Sequence, residues 1–301
     1  MHHRVTTVFG GTGFLGSAIV QELVAAGTAV RVAVRHPRLP EDLASSDDIE
    51  LVSADIRDDS SVAAALEGAS GAVNAVGLYT EPSRTETFDI IHAQGAGRVA
   101  HHCREAGVEC LVHISGIGAD ADSASSYIRA RAHGEQRVRT AFPSAVIVRP
   151  SVLFGPRDAF LGALAMISRF PVVPLFGRGD TRLQPVLVAD VAHAVSRLLD
   201  TAAPDLLLYE LGGASTYRYR EIVELVLTRL GRRRPLLPVP FVAWRALARL
   251  AALLPSPPLT ENQVMLMQQD NVVGPDVGTF DDLRITPCSL EERLADCLDG
   301  R

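Results

Sequence analysis

One feature constrains this chain more than any other: a glycine-rich turn set between a β-branched run and an amphipathic helix. The run Arg4–Phe9 reads as a strand, and Gly10-Gly11-Thr12-Gly13-Phe14-Leu15-Gly16 follows it at once. Leu15, Ile19 and Leu23 then fall on one face of a helix. Glycines at 10, 13 and 16 permit a tight turn, let the backbone approach a ligand closely, and let the helix pack against the strand with its first N–H groups aimed at an anion. A tight turn alone can use such glycines. Their position between the first strand and the first helix points instead to a pyrophosphate cradle in which Gly10, Thr12, Gly13, Phe14, Leu15 and Gly16 make the contacts.

The pattern repeats downstream, alternating short extended runs with helical spacing. Further strands are expected at Ala29–Val34, Ile49–Ser53, Ala72–Val76, Cys110–Ile114 and Ala145–Arg149. Between them lie helices such as the one carrying Phe88, Ile91, Gly95 and Val99, and Gly27, Gly68 and Gly107 stand where C′ glycines end helices. This is the signature of an α/β fold: a Rossmann-type doubly wound parallel sheet, here with a smaller, mainly helical C-terminal cap. The dinucleotide-binding part is expected over 1–155, with 183–205 returning to the sheet through a strand at Pro185–Val188. The cap or substrate region is expected over 156–182 and 206–301. Thr260/Gln263 and Ser289/Glu292 form capping boxes that mark two helix starts there.

At the end of the second strand an NAD-selective site places an acidic residue against the ribose 2′-hydroxyl, and here the chain reads Val34-Arg35-His36-Pro37-Arg38. Arg35 and Arg38 can hold a 2′-phosphate and stack on adenine, which favours NADP(H) over NAD(H); a solvated basic turn is the plainer alternative. Asp55 and Ile56 after the third strand are placed to meet the adenine. Asn74, Ala75, Val76 and Gly77 would line the cofactor at the fourth strand.

The net charge of −6 gives no broad basic surface for nucleic acid. No apolar run reaches the ~20 residues of a membrane span, and the start runs into a strand without a secretory signal, so a cytoplasmic protein is expected. Cys103, Cys110, Cys288 and Cys297 are scattered and form no metal-binding pattern. All 29 Lys+Arg residues are arginine, so any site that ordinarily uses lysine must use arginine or do without. Finally, Phe241–Leu254 is too apolar for a free surface helix. Packing under the cap is its plainer reading, and a membrane-surface or partner-docking helix the sharper one.

Several segments together resemble a known family: the turn Gly10–Gly16, Tyr127 four residues before Arg131, Arg149-Pro150-Ser151-Val152-Leu153-Phe154-Gly155-Pro156, and Gln184–Val191. They are similar to extended short-chain dehydrogenase/reductases. His113–Asp120, Tyr209–Gly213, Pro258–Val264 and Asp270–Val273 resemble the atypical group that includes the NADPH-binding accessory subunit of mitochondrial complex I. The resemblance implies that Tyr127 is the general acid or base and that Arg131 takes the place of the family's lysine. Ser115 would stand for the carbonyl-polarising serine, His92 for the usual asparagine, and Pro150 and Val152 would line the cofactor. Guanidinium stays protonated, so Arg131 can fix a charge beside the phenol but cannot relay a proton. Without the resemblance, Tyr127 is an ordinary half-buried tyrosine, Ser115 a serine capping a backbone group, and His92 a packing histidine. Two functions follow: an NADP(H)-dependent oxidoreductase on a small apolar carbonyl or quinone-like substrate, or a non-catalytic, cofactor-bound structural or assembly protein linked to complex I or ubiquinone synthesis. The second would place it peripheral to the inner membrane.

Overall fold

The computed structural model describes residues 5–40, 43, 46, 48–201, 205–254 and 259–298. The chain forms two compact units, the first comprising 1–150, 188–211 and 275–285 and the second 151–187, 212–274 and 286–301.

In the first unit the order is β1 (Val5–Phe9), α1 (Phe14–Ala25), β2 (Ala29–Val34), β3 (Ile49–Ser53), α2 (Asp59–Leu66) and β4 (Gly71–Asn74). A π-helical turn (Asp89–Gly95) runs into α3 (Ala96–Glu105), followed by β5 (Cys110–Ile114), α4 (Ser126–Ala141) and β6 (Val146–Pro150). Gly27, Gly68 and Gly107 each take positive φ just past a helix, where a side chain would strain the backbone. Asp58 and Ser125 cap α2 and α4 with their side-chain oxygens. Alternate residues of the strands and the inner helix faces bury Phe9, Leu66, Leu111 and Ile147 in one core.

The second unit contains β7 (Leu153–Phe154), α5 (Ala159–Ile167), β8 (Val173–Phe176), β9 (Arg182–Leu183) and β10 (Val186–Leu187). The chain then gives α6 (Val188–Asp200) and β11 (Leu208–Leu211) to the first unit. It continues in the second through β12 (Tyr217–Arg218), α7 (Tyr219–Arg229), β13 (Leu236–Val239), α8 (Phe241–Ala251), α9 (Glu261–Leu266) and α10 (Leu290–Leu298). Both expected capping boxes form, Thr260 with Gln263 and Ser289 with Glu292.

The first unit's sheet is seven-stranded and parallel, in the order β11-β6-β5-β4-β1-β2-β3. It is therefore a Rossmann-type doubly wound sheet whose strand order reverses between β1 and β4, the point where such sheets open a crevice at their carboxyl ends. The expected strand at Pro185–Val188 does not join it. Helix α6 begins at Val188, which leaves only Val186–Leu187 extended, and these pair with β7. The edge beside β6 is filled instead by the longer β11, and Gly278 bonds to Leu208 and Glu210 at its outer side.

The segment 241–254 also departs from its plainer reading. Helix α8 buries only Ala248 and Ala251, and Trp244 ties it down by donating to the Leu175 carbonyl at 3.0 Å and packing on Phe176. Leu250 and Leu253 stay 66% and 84% exposed, with Val242, Leu247 and Leu254 exposed beside them. Among the described residues no helix is long and apolar enough to cross a membrane. Arg4, the first residue of the expected opening strand, and Pro258 of the family segment lie outside the described residues.

Candidate active site

The glycine turn sits at the carboxyl end of β1, on the switch point. Gly10 has φ +77°, its N–H donates to the Ala33 carbonyl, and a Cβ on it would press on the Ala75–Val76 peptide at 3.0–3.1 Å. A Cβ on Gly16 would lie 2.1 Å from the Gly10 carbonyl oxygen, so α1 can approach the turn only because that position has none. Gly13 is the N-cap of α1 without a side-chain cap, and no acidic residue lies in the first turn. The helix therefore opens with uncapped N–H donors and an unopposed positive dipole end. Thr12, Gly13 and Phe14 lie toward the surface, whereas the Leu15 side chain is in the core and only its backbone can face a ligand. Ala75 and Val76 are half-buried beside Gly10 and Gly77 is exposed.

At the ends of β2 and β3 a cavity of about 350 Å³ is lined by Arg35, Asp55, Arg57 and Glu86 among others. Arg35 is ion-paired with Glu86. Asp55 holds Arg57 in a fork, Nε at 2.9 and 3.0 Å and Nη2 at 2.5 Å. That bond, more than any other influence, keeps the Asp55 carboxyl below the usual carboxylate range. The Asp55 side chain is thus committed to Arg57. Ile56 turns its side chain into the core beneath Gly95 and offers its carbonyl to Arg98. Arg38 is exposed and does not line the cavity. Arg57 and Glu86 were not singled out from the sequence; only proximity in the fold identifies them.

Farther along the carboxyl edge, Tyr127 lies in the first turn of α4, buried among aromatic rings. Tyr79, Phe88 and His92 stand at centroid distances of 6.1, 5.3 and 5.4 Å. Burial raises the phenol's pKa, and the charge of Arg131 opposes that rise. Arg131 places its guanidinium carbon 4.8 Å from the centre of the Tyr127 ring. Its Nε and Nη1 are buried without a hydrogen-bond partner, and the surface of Gly116 leaves them room, since a Cβ there would be 3.2 Å from Nη1. Two histidines complete the surroundings. Burial, reinforced by Arg131, lowers His92 to about 3, and its Nε2 meets the Leu78 backbone carbonyl at 2.9 Å. Burial lowers His113 to about 4, and its Nδ1 lies 3.3 Å from Asn74 Nδ2. Both rings are neutral at pH 7, and Arg131 supplies a fixed cation to this pocket.

Ser115 has other engagements. Its hydroxyl donates to Glu135 Oε1 at 2.6 Å, and Glu135 accepts Arg149 Nε and Nη2 at 2.8 Å each. Arg149 reaches Glu210 at 3.1 Å. With its proton held by Glu135, Ser115 is a member of a buried polar network and cannot at the same time donate to a substrate carbonyl. Pro150 ends β6 and accepts the Ile117 N–H. Val152 belongs to the second unit, where its N–H donates to Asn271 Oδ1 at 3.0 Å and its carbonyl accepts from Val186. Asn271 also takes the Ser151 hydroxyl, and Asp270 binds Arg182, so the Asp270–Val273 segment acts as a hydrogen-bonding staple inside that unit.

These features fit a dinucleotide on the chain's own terms. The turn admits no Cβ at Gly16, α1 presents uncapped donors, and a buried guanidinium keeps two unmatched N–H groups. Comparison with known proteins agrees. Residues 10–166 match the family model described as NAD(P)H-binding. The chain is 32% identical over 305 residues to the mitochondrial NADH dehydrogenase (ubiquinone) 1 alpha subcomplex subunit 9 of Rattus norvegicus, covering 98% of this chain and 79% of that one. It is also 32% identical over 244 residues to a ceramide reductase of Caulobacter vibrioides, covering 78% and 74%. Among solved structures, a dTDP-glucose 4,6-dehydratase from Streptomyces venezuelae, crystallised with NAD and TYD, superposes with a TM-score of 0.73 at 18% identity. That match covers 97% of this chain and 95% of the other.

Proposed function

Because this chain belongs to the NAD(P)H-binding extended, atypical short-chain dehydrogenase/reductases, in the group that includes the accessory subunit of mitochondrial complex I, we propose that it is an NADP(H)-dependent oxidoreductase. Its substrate is a small apolar carbonyl or a quinone-like molecule. The observation that carries this reading is the Tyr127–Arg131 pair: a phenol and a fixed cation on one helix face, within an aromatic pocket, with two guanidinium N–H groups unmatched.

A nicotinamide cofactor held at this site would supply the hydride. Tyr127 delivers the accompanying proton from Oη to the reduced substrate oxygen and recovers it from solvent. Arg131 lowers the cost of the transient phenolate by its charge and offers Nε and Nη1 to the nicotinamide ribose hydroxyls. Phe88, buried against the Tyr127 ring, excludes water there, and Tyr79, itself exposed, gives the substrate an aromatic face. Gly10, Thr12, Gly13, Phe14, Leu15 and Gly16 hold the pyrophosphate. Arg35 selects the 2′-phosphate, and Ala75, Val76, Gly77 and Pro150 border the cofactor. Ser115 acts through Glu135 to keep the end of β5 in place.

Calorimetry is expected to show tighter binding of NADPH than NADH, reversed by Arg35→Asp. Single-turnover mixing of the NADPH complex with short-chain quinones and aldehydes is expected to oxidise the cofactor. Equal affinity for the two nucleotides removes the Arg35 assignment, and no oxidation with any acceptor removes the enzyme.

The exposed leucines of α8 favour a second reading, a cofactor-bound protein docked on a larger assembly or at the inner-membrane surface. Under it the dinucleotide stabilises the fold by mass action and Tyr127 has no kinetic role.

A further inference from the structure

Arg35 and Arg57 come from the ends of two neighbouring strands, β2 and β3, and converge on one oxygen. Glu86 Oε1 is ion-paired with Arg35 and lies 3.6 Å from Arg57 Nη1. Arg57 is fixed in that direction by its fork on Asp55 and by a bond from Nη1 to the Thr85 carbonyl at 3.1 Å. The convergence is therefore built. A carboxylate oxygen bonded to one guanidinium and within ion-pair range of a second, on the wall of a cavity of about 350 Å³ at the carboxyl ends of β2 and β3, occupies the cationic position that a phosphate oxygen would take. Asp55 already balances the charge of Arg57, so without an anion there it is Arg35 that would stand uncompensated beside a second guanidinium. With Glu86 there, any incoming anion has to displace it.

We propose that Glu86 is a resident substitute for the 2′-phosphate of NADP(H), exchanged for it on binding, and that Arg57 is the second phosphate ligand beside Arg35. The proposal rests on the NADP(H) reading given above and adds what sets the degree of selectivity. A 2′-phosphate carries up to two charges where Glu86 carries one, so the exchange favours the phosphate but cancels part of the gain from two arginines. NAD(H) brings no 2′-phosphate and leaves the Glu86 bridge intact. Preference for NADP(H) is thus moderate by construction and adjustable through a residue that need not touch the cofactor.

The test is calorimetric titration of the full-length protein with NADPH, NADH, adenosine 2′,5′-bisphosphate and 5′-AMP. Glu86→Gln removes the competing charge and is expected to tighten NADPH and the bisphosphate about tenfold, the equivalent of ~1.4 kcal/mol, while NADH and 5′-AMP change less than twofold. Arg57→Gln is expected to weaken NADPH and the bisphosphate about tenfold or more and to spare NADH. Arg57→Lys, which keeps the charge but not the fork, should recover part of the loss. If the unmodified protein prefers NADPH yet Glu86→Gln leaves its affinity unchanged, the exchange is overturned and the NADP(H) reading stands. If Glu86→Gln weakens NADH and 5′-AMP, Glu86 holds the ribose hydroxyls instead, which also overturns it. If the unmodified protein binds both nucleotides equally and Arg35→Gln alters neither, the underlying reading fails and the inference goes with it.

Discussion

Two guanidinium groups approach the carboxyl end of the sheet and are treated differently. Arg149 is matched, with both oxygens of Glu135 and one of Glu210 within 3.1 Å, and Ser115 completes the set. Arg131 lies one helical turn before Glu135 on the same helix, yet it rests on the Tyr127 ring and keeps Nε and Nη1 unpartnered. Leaving donors unmatched in a buried site costs about 1–3 kcal/mol per group. The matched arginine maintains structure; under the oxidoreductase reading proposed above, the cost of the unmatched one is offset by the bound cofactor.

The largest effect is expected on the matched side. Arg149→Met strands two buried carboxylates, Glu135 and Glu210, at 4% and 6% exposure. Unfolding experiments should register a loss of about 3–5 kcal/mol. Arg131→Met should leave the stability of the cofactor-free protein unchanged or raise it, while weakening NADPH binding. A large loss from Arg131→Met would erase the contrast between the two sites.

Acid should act on a comparable scale. His92 and His113 are held at about 3 and about 4, whereas in the unfolded chain they titrate near 6.5. Below pH 6.5 the unfolded chain therefore binds more protons than the native one. Their contribution is intact above 6.5 and is lost as pH falls toward the native values, by roughly 3 kcal/mol per histidine at pH 4. Denaturant midpoints measured between pH 7 and 4.5 should fall continuously. A flat profile would mean that the Arg131 pocket is wetter than its geometry indicates.

The unmatched side is sharpened by Tyr127→Phe. It should leave NADPH affinity within about twofold and slow turnover by about 10²-fold or more, ~2.7 kcal/mol. Arg131→Lys restores the family's usual residue and should keep activity, whereas Arg131→Ala should damage both binding and rate. An active protein indifferent to Tyr127→Phe would assign Arg131 to cofactor retention alone.

How much of this the sequence discloses depends on distance along the chain. The first six strands, the glycine turn and the shared helix face of Tyr127 and Arg131 follow from local periodicity and spacing, and the structure places them within two residues of the expected positions. The Arg35–Glu86 pair joins residues 51 apart and Ser115–Glu135 residues 20 apart, and no periodicity connects either. Ser115 therefore reads from the chain as a free donor, and Glu86 does not register at all. The run at Pro185–Val188 reads as a seventh strand of the sheet because it is as apolar as one, but the helix that begins at Val188 leaves only Val186–Leu187 extended. Composition shows that α8 is apolar, but not which of its residues remain uncovered.

The smallest effect on stability is expected at α8. Leu250→Gln with Leu253→Gln removes exposed apolar surface and should change unfolding free energy by no more than about 0.5 kcal/mol. Flotation with cardiolipin-containing liposomes should recover the unmodified protein with the vesicles and leave the double variant behind. If both stay in solution, the docking reading loses its membrane form.

The π-helical turn at Asp89–Gly95 has one more consequence. A π-turn holds one residue more than an α-turn, and here its His92 carbonyl sits where a Cβ on Gly134 would be 2.0 Å away, so the widened turn and α4 are keyed to each other. Each residue in an α-helix advances about 100° around the axis. Deleting a single residue from this segment would let the helix close into regular α geometry and swing His92 away from Leu78 and the Tyr127 ring. The position of the pocket's aromatic wall thus depends on the residue count of one helical turn, and a change of one codon there would move it.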